Sequence, residues 1–529
     1  MGNTDPLPSD TPSTPGTERW VMIAAVLASG MTLIDETALN LALPAIQMGL
    51  GASGFGLLWV VNAYAVVLTA FLLAGGALGD RRGRKRVLAV GIGIFTAASL
   101  GCGLAPSIEI LIGVRAVQGV GAALMVPGGL ALLIALIPPN KHGKALGIWS
   151  AWCVVVAALG PILGGLLARA GLWRGIFFIN VPLGLLALTI LARCVPESRR
   201  LKASTGVDYL GAIAAVVGLA CLNYGLIAVA DQGTSDRWGL LAVGAGLTGL
   251  VAFVIVERYS AHPLLPLDLF RSRRFLAATL LTLSLFTAFR GLLFFLPLNL
   301  IQVQGYDASL AGLAQLPVML CLVLMSRQSG RLTDALGPRS PLVVGCLLAG
   351  AGFLLFARPG VTEGPSDFWS AYLPALCLLG IGFAVALTPL NALSMSALPP
   401  GRSGLASGVS STISRLSGVL AIVVVGTVAL ASFGRFLDAR IALLGLAPEA
   451  ARTLHDGAGG LCATPVPDGL DSAAEAGVRD AIRRAFVDTF RLVCAIAAGL
   501  AWLGALAATL LPRGRPQAIE DPLPANSEG

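Results

Sequence analysis

Two carboxylates stand side by side in an apolar run: Asp35 and Glu36 in MTLIDETALN, between WVMIAAVLASG and LALPAIQMGLG. A charged acid costs about 3 kcal/mol at the centre of a bilayer, so acids placed there serve a purpose. One that gains and loses its proton as access alternates is a proton carrier. One permanently paired with a nearby Arg is structural, and both readings stay open. Helical neighbours differ by about 100°, so Asp35 and Glu36 point different ways, whereas Glu36 and Asn40, four apart, share a face. Arg115 and Gln118, at i and i+3 in RAVQGVGAALMVP, also share a face. A buried Arg must find acids or carbonyls. Arg290, in LFTAFRGLLFF, must likewise face protein or water. It is either a partner for Asp35 or Glu36 or a contact for an anionic ligand group. Trp59, Asn62, Tyr64, Asn299 and Gln315 are further candidates for a polar cavity wall, although Tyr and Trp also anchor membrane interfaces.

The elements that position these residues follow from composition. Of 529 residues, 56% are hydrophobic and 12% charged, against roughly 25% charged in soluble domains. Mean hydropathy is +0.82. Nothing alternates at period two over strand lengths, so the expected class is an all-α polytopic membrane protein. Apolar runs of about twenty residues predict fourteen spans: 20–44, 55–79, 87–105, 109–136, 146–169, 175–193, 209–230, 239–257, 275–300, 308–326, 341–357, 371–397, 404–431 and 490–511. The net charge of +8 sits mostly in short loops and reports topology, not nucleic-acid binding. Nine cysteines without a CxxC pair argue against a disulfide framework or a zinc site. No G-x-x-x-x-G-K-[ST] occurs and the three histidines form no paired motif. An ATP-driven pump or a membrane enzyme is therefore disfavoured, and no cofactor beyond protons is expected.

Lys and Arg follow the even-numbered spans, as in DRRGRKR after span 2, while the loops 45–54, 106–108 and 301–307 carry none. The positive-inside rule then puts both termini in the cytoplasm. GALGDRRGR at 76–84 and GRLTDALGPR at 330–339 both fit G-x-L-x-D-x-x-G. The copies lie about as far apart as spans 1 and 9. The predicted organisation is a disordered tail (1–19), a six-helix bundle (20–193), a linker with two inserted helices (194–274), and a second six-helix bundle (275–511). That second bundle carries an extracytoplasmic loop at 432–489, polar and partly helical, and a second tail follows at 512–529. Halves of this kind suit a transporter whose site lies at the midplane between them. In the repeated loop Gly76 permits close packing and Gly83 a tight turn, and the basic cluster anchors the membrane face. Asp80 at a helix C-terminus needs a compensating positive partner. Gly160 and Gly164 form a small-xxx-small face, and Pro161 bends its helix.

These motifs resemble the major facilitator superfamily. GALGDRRGRK resembles its loop 2–3 signature, with Gly76, Asp80, Arg81, Gly83 and Arg84, and GRLTDALGPR resembles the weaker second copy, with Gly330, Asp334 and Gly337. LIDETALNLALPAI, RAVQGVGAALMVP, ALGPILGGLL, WRGIFFINVPLG, PLLPLDLF and GLASGVSSTISRLSG narrow the resemblance to the fourteen-span drug:proton antiporters. The resemblance implies two six-helix bundles plus two inserted helices. It places Asp35 at the family's membrane acid, gives Arg115 a part in proton coupling, and makes Gly160, Pro161, Gly164 and Gly165 the antiporter signature. Glu36 and Arg290 depart from the family pattern. Arg415 matches a common basic residue, expected to be structural.

The expected function is therefore export of hydrophobic small molecules (drugs, antibiotics or toxic metabolites) by proton antiport with alternating access. Asp35, Glu36 and Arg115 would handle the proton. The expected setting is a bacterial inner membrane, given the Ala-, Gly- and Arg-rich composition, and the expected unit a monomer without nucleic-acid partners. The alternative is a facilitator-type importer of a nutrient or siderophore, against which the span 5 signature argues.

Overall fold

The computed structural model describes residues 15–138, 141–197, 208–232, 236–260, 263, 271–362, 364–396, 403–467 and 469–509. Among these there are helices and no strands. The first half consists of α1 (Pro15–Leu50), α2 (Gly54–Arg82), α3 (Arg84–Leu104), α4 (Ile108–Leu136), α5 (His142–Arg169), α6 (Gly175–Phe178) and α7 (Asn180–Cys194). Two inserted helices follow, α8 (Tyr209–Gln232) and α9 (Arg237–Tyr259). The second half holds α10 (Arg273–Leu298), α11 (Ala308–Leu313), α12 (Leu316–Leu336), α13 (Arg339–Phe356), α14 (Leu373–Ser396), α15 (Ser403–Leu420), α16 (Thr427–Ile441), α17 (Pro448–Asp456) and α18 (Ser472–Thr509). Apolar side chains face lipid or neighbouring helices while the helices satisfy their own interior backbone hydrogen bonds, which is what hydrocarbon demands. Side chains start several helices: Ser53 caps α2, Asp236 caps α9, Ser272 caps α10 and Asp307 caps α11.

Among the described residues, thirteen helices are long and apolar enough to cross a membrane. The fourteenth expected span, 209–230, is α8 (Tyr209–Gln232), whose sequence YLGAIAAVVGLACLNYGLIAVA is apolar along its length. The chain is thus a multi-pass membrane protein. One expectation needs correction. Residues 15–19, expected in a disordered tail, begin α1, where Glu18 receives a hydrogen bond from Lys141 Nζ at 2.9 Å. Within the segment 432–489, expected to be partly helical, α16 runs on to Ile441, α17 follows, and α18 starts at Ser472. Phe433, Leu437, Phe486 and Phe490 remain buried there, so the two extensions pack on each other beyond the apolar spans. The expected tail 512–529 lies outside the described residues.

In the first half α2 and α3 pack on α4 and α1 packs on α5; in the second, α13 packs on α14 and α18, and α12 on α14. The inserted α8–α9 hairpin leans on α2 of one half and α16 of the other. A π-helical turn at Ala421–Gly426 interrupts the path from α15 to α16, and another at Asn299–Val303 ends α10. The connections at 51–53, 304–307 and 457–463 gather at one end of the molecule, here called the Asp307 end. The turn at Gly83, with φ of 104°, lies at the other.

Candidate functional site

Asp35 and Glu36 leave α1 in different directions, as their helical offset requires, and meet different surroundings. Asp35 is fully buried. Arg115 Nη1 of α4 donates to its Oδ2 at 2.5 Å, and Gln118 Nε2 donates to its Oδ1 at 2.9 Å. Arg115 also donates through Nη1 to Gln118 Oε1 (2.7 Å) and through Nε to the Val60 carbonyl of α2 (3.1 Å). Gln118 donates further to Ser99 Oγ of α3 at 2.9 Å. The Arg115 guanidinium lies 4.4 Å from the centre of the Tyr64 ring, a cation–π contact that also keeps water away. The cluster ties α1, α2, α3 and α4 together, and every charge in it is met by a hydrogen bond, as a dry ion pair requires.

Glu36 instead reaches a cavity of about 230 Å³ between the halves, formed by α1, α2, α4, α10, α12 and α15. There Arg290 of α10 forms an ion pair with it, each side chain about 30% exposed. The pair joins the two halves at mid-height. Asn40, Tyr64, Thr37 and Arg115 contribute further polar wall, Phe286, Phe289 and Phe294 an aromatic one, and Arg415 of α15 a second free-facing guanidinium. The Phe289 ring stacks on Phe383 at 4.4 Å, holding that wall.

Several expected wall residues lie elsewhere. Asn62 is buried and donates through Nδ2 to Asn223 Oδ1 of α8 at 3.1 Å, and Trp59 packs against Tyr224 of the same helix. Both anchor the inserted hairpin, because their face of α2 turns away from the cavity. Asn299 donates to the Tyr372 hydroxyl at 3.2 Å inside the second half. Gln315 lines a separate void of about 10 Å³. Gln118 belongs to the Asp35 cluster. Arg415, expected to be structural, lies on the cavity wall. Its sequence neighbourhood gave no sign of this, because only the crossing of α10 and α15 brings it there.

The expected antiporter signature forms a two-sided contact. A β-carbon at Gly160 would strike Thr37 Oγ1, and one at Gly164 would lie 2.4 Å from the Ala38 carbonyl oxygen, so α5 presses on α1. Gly165 faces the opposite half: a β-carbon there would lie 2.3 Å from the Ala308 carbonyl oxygen of α11, and one at Gly312 would lie 2.4 Å from the Pro161 carbonyl oxygen. Arg169 adds a hydrogen bond to Ser309 Oγ (3.4 Å) and an ion pair with Asp307 (3.8 Å). The Ser309 hydroxyl holds the Asp307 carboxyl below its usual range, aided by the backbone amide of Leu310 and by Arg169. Also at this end, Gln302 Nε2 donates to Gln47 Oε1 (3.0 Å), and Gln47 Nε2 donates to the Gly460 carbonyl (2.9 Å). A strap from the second half thereby crosses to α1.

In the repeated loop, Gly83 makes the left-handed turn, and Arg84 Nη1 donates to the Ala131 carbonyl at 2.9 Å. Glu197, which the motif did not flag, receives the Lys85 amide at 3.1 Å and pairs with Arg86. Gly76 packs near Pro127, and Gly337, with φ of 74°, ends α12 ahead of the turn into α13. Gly330 lies within α12 with open space around it. The side chains of Asp80, Arg81 and Asp334 lie outside the described residues.

Residues 25–422 match the sequence profile described as Major Facilitator Superfamily. The chain is similar to Multidrug resistance protein Stp of Mycobacterium tuberculosis, 33% identical over 413 residues covering 78% of this chain and 76% of the relative. It is also similar to the Tetracenomycin C resistance and export protein of Streptomyces glaucescens, 30% identical over 520 residues, covering 96% and 95%. Multidrug efflux pump LfrA of Mycolicibacterium smegmatis is 31% identical over 497 residues, covering 93% and 96%. Among solved structures, a bacterial homolog of the human lysosomal transporter Spinster superposes with a TM-score of 0.64 at 19% identity, covering 94% of this chain and 98% of that one. The POT family transporter PepTSo gives 0.62 at 15% identity, covering 94% and 98%; both are likenesses of fold.

Proposed function

The chain belongs to the Major Facilitator Superfamily, and from that premise we propose that it exports hydrophobic small molecules by alternating access, driven by protons. Its relatives are named for multidrug and antibiotic resistance and export, which supports the substrate class. The observation that carries the coupling is the Glu36–Arg290 pair, an acid and a base from opposite halves meeting in the cavity wall. A proton on Glu36 cancels the attraction that holds α1 to α10, so protonation and the relative position of the halves are linked. Asp35 and Arg115, dry and mutually satisfied, hold α1 in the rotation that presents Glu36. In the proposed orientation the Gly83 end, with Arg82, Arg84, Lys85 and Arg86, faces the cytoplasm of a bacterial cell. The contacts around Gly165, Gln47 and Arg169 then close the outer side.

The test is efflux in everted membrane vesicles. Addition of a transported compound from a hydrophobic panel should release protons from energised vesicles. Glu36→Gln should abolish that release while the protein stays folded. Proton release of normal size in Glu36→Gln would remove this acid from the coupling. Uptake into right-side-out vesicles in place of efflux would favour an importer.

A further inference from the structure

We propose that the cavity selects an amphiphile carrying a negative charge, held through its acidic group by Arg415 and Arg290. The inference rests on the cavity being the substrate site. Around it the charges can be paired off. Asp35 neutralises Arg115, and Glu36 neutralises Arg290. Arg415 remains: it is half-buried on the wall, and no hydrogen bond or ion pair among the described residues engages it. Arg415 also feels the charge of Glu36, but one carboxylate cannot neutralise two guanidiniums, and the excess positive charge in a partly dehydrated pocket is costly unless an anion arrives.

The two arginines are also neighbours. Gly418 lies three residues after Arg415 on α15, on the same face. The Arg290 side chain crosses directly over it: a β-carbon at Gly418 would lie 3.0 Å from Arg290 Cδ and 3.4 Å from Nη1. The missing side chain lets Arg290 lie along α15 beside Arg415. Two forked donors therefore face one carboxylate, and the group is one acid short. A carboxylate, phenolate or sulfonate completes it with charge-assisted hydrogen bonds. Phe286, Phe289 and Phe294 take the apolar body. A lipophilic cation would meet a wall of net positive charge.

An anion on the arginines also draws Arg290 away from Glu36, so it loosens the same inter-half pair that a proton loosens. Either one alone therefore frees the halves to move, so proton and anion can take turns on the pair, as antiport requires. Part of the driving force falls to the membrane potential acting on the anion itself, which supports about fiftyfold accumulation per 100 mV.

The experiment uses the full chain in proteoliposomes with three radiolabelled probes of one shape: naphthalene-2-sulfonate, naphthalene-2-sulfonamide and 2-naphthyltrimethylammonium. Binding is measured first, then movement under a potassium diffusion potential without a pH gradient. The sulfonate should bind roughly tenfold or more tighter than the ammonium and move with the potential. Arg415→Gln should weaken sulfonate binding by a similar factor and leave the sulfonamide unchanged. Glu36→Gln, which removes the competing carboxylate, should tighten sulfonate binding severalfold, a gain that misfolding cannot imitate. Tighter binding of the ammonium, equal loss of all three probes in Arg415→Gln, or weaker sulfonate binding in Glu36→Gln would overturn the anion inference and leave the export reading standing. Failure of all three probes to bind or move would overturn the export reading, and the inference with it.

Discussion

Gly165 of α5 lies against the backbone carbonyl of Ala308 at the start of α11, so close that a β-carbon would sit 2.3 Å from the oxygen. Helices from the two halves touch here main chain to main chain, with Gly312 and Pro161 making the reciprocal contact.

Gly165→Ala should therefore disfavour the state closed at the Asp307 end. Overpacking costs about 1–3 kcal/mol, which shifts a two-state equilibrium roughly 5- to 150-fold. Paired spin labels across α5 and α11 should report a longer distance in the variant. An unchanged distance distribution would show that the contact does not hold this end shut.

Removing one partner of the Asp35–Arg115 pair leaves a buried charge, at a cost of about 3–5 kcal/mol. Arg115→Met should thus lower the thermal stability of the detergent-solubilised protein sharply. The double change Asp35→Asn with Arg115→Met should recover part of the loss, as expected of a pair that serves packing. A double variant no more stable than Arg115→Met would contradict that role.

The buried Asn62–Asn223 amide bond fastens the inserted hairpin to α2. Asn223→Ala strands the Asn62 amide and should destabilise by about 1–3 kcal/mol, whereas replacing both by Leu should be nearly neutral. Thermal melts of the three proteins decide the matter. Equal melting of Asn223→Ala and the parent would mean that the aromatic contacts of Trp59 and Phe55 with Tyr224 suffice.

His455 of α17 hydrogen-bonds Asp438 at 3.0 Å, and that bond, with the charge of Asp438, raises its pKa above the usual 6.5. A raised histidine contributes stability that is fully present below its unfolded value and is lost as pH rises through the folded one. The segment at 442–471 should therefore resist protease better at about pH 6 than at about pH 9. His455→Gln should flatten that dependence; a parent protein cleaved equally at both values would count against it.

How much of this was legible in the sequence differs residue by residue. Hydropathy located the long helices, α8 included, because hydrocarbon admits little else; the helical run to Ile441 shows where that criterion stops short. Helical spacing separated Asp35 from Glu36 and joined Arg115 to Gln118, since both depend on local geometry alone. It offered Arg290 either acid and could not choose, because the choice depends on how α1 is rotated against α10. Arg415 beside Arg290, Asn62 with Asn223 and Gln47 with Gly460 were not legible. Each is a meeting of distant helices, and no local pattern encodes which faces cross.

The bond from Gln47 to Gly460 spans 413 residues of chain. With Gln302 holding the other end of the Gln47 amide, the half-buried strap at the Asp307 end belongs to both halves at once. An antibody fragment gripping the strap would clamp the molecule shut at that end. Inhibition would then need neither entry into the cavity nor any likeness to what is carried.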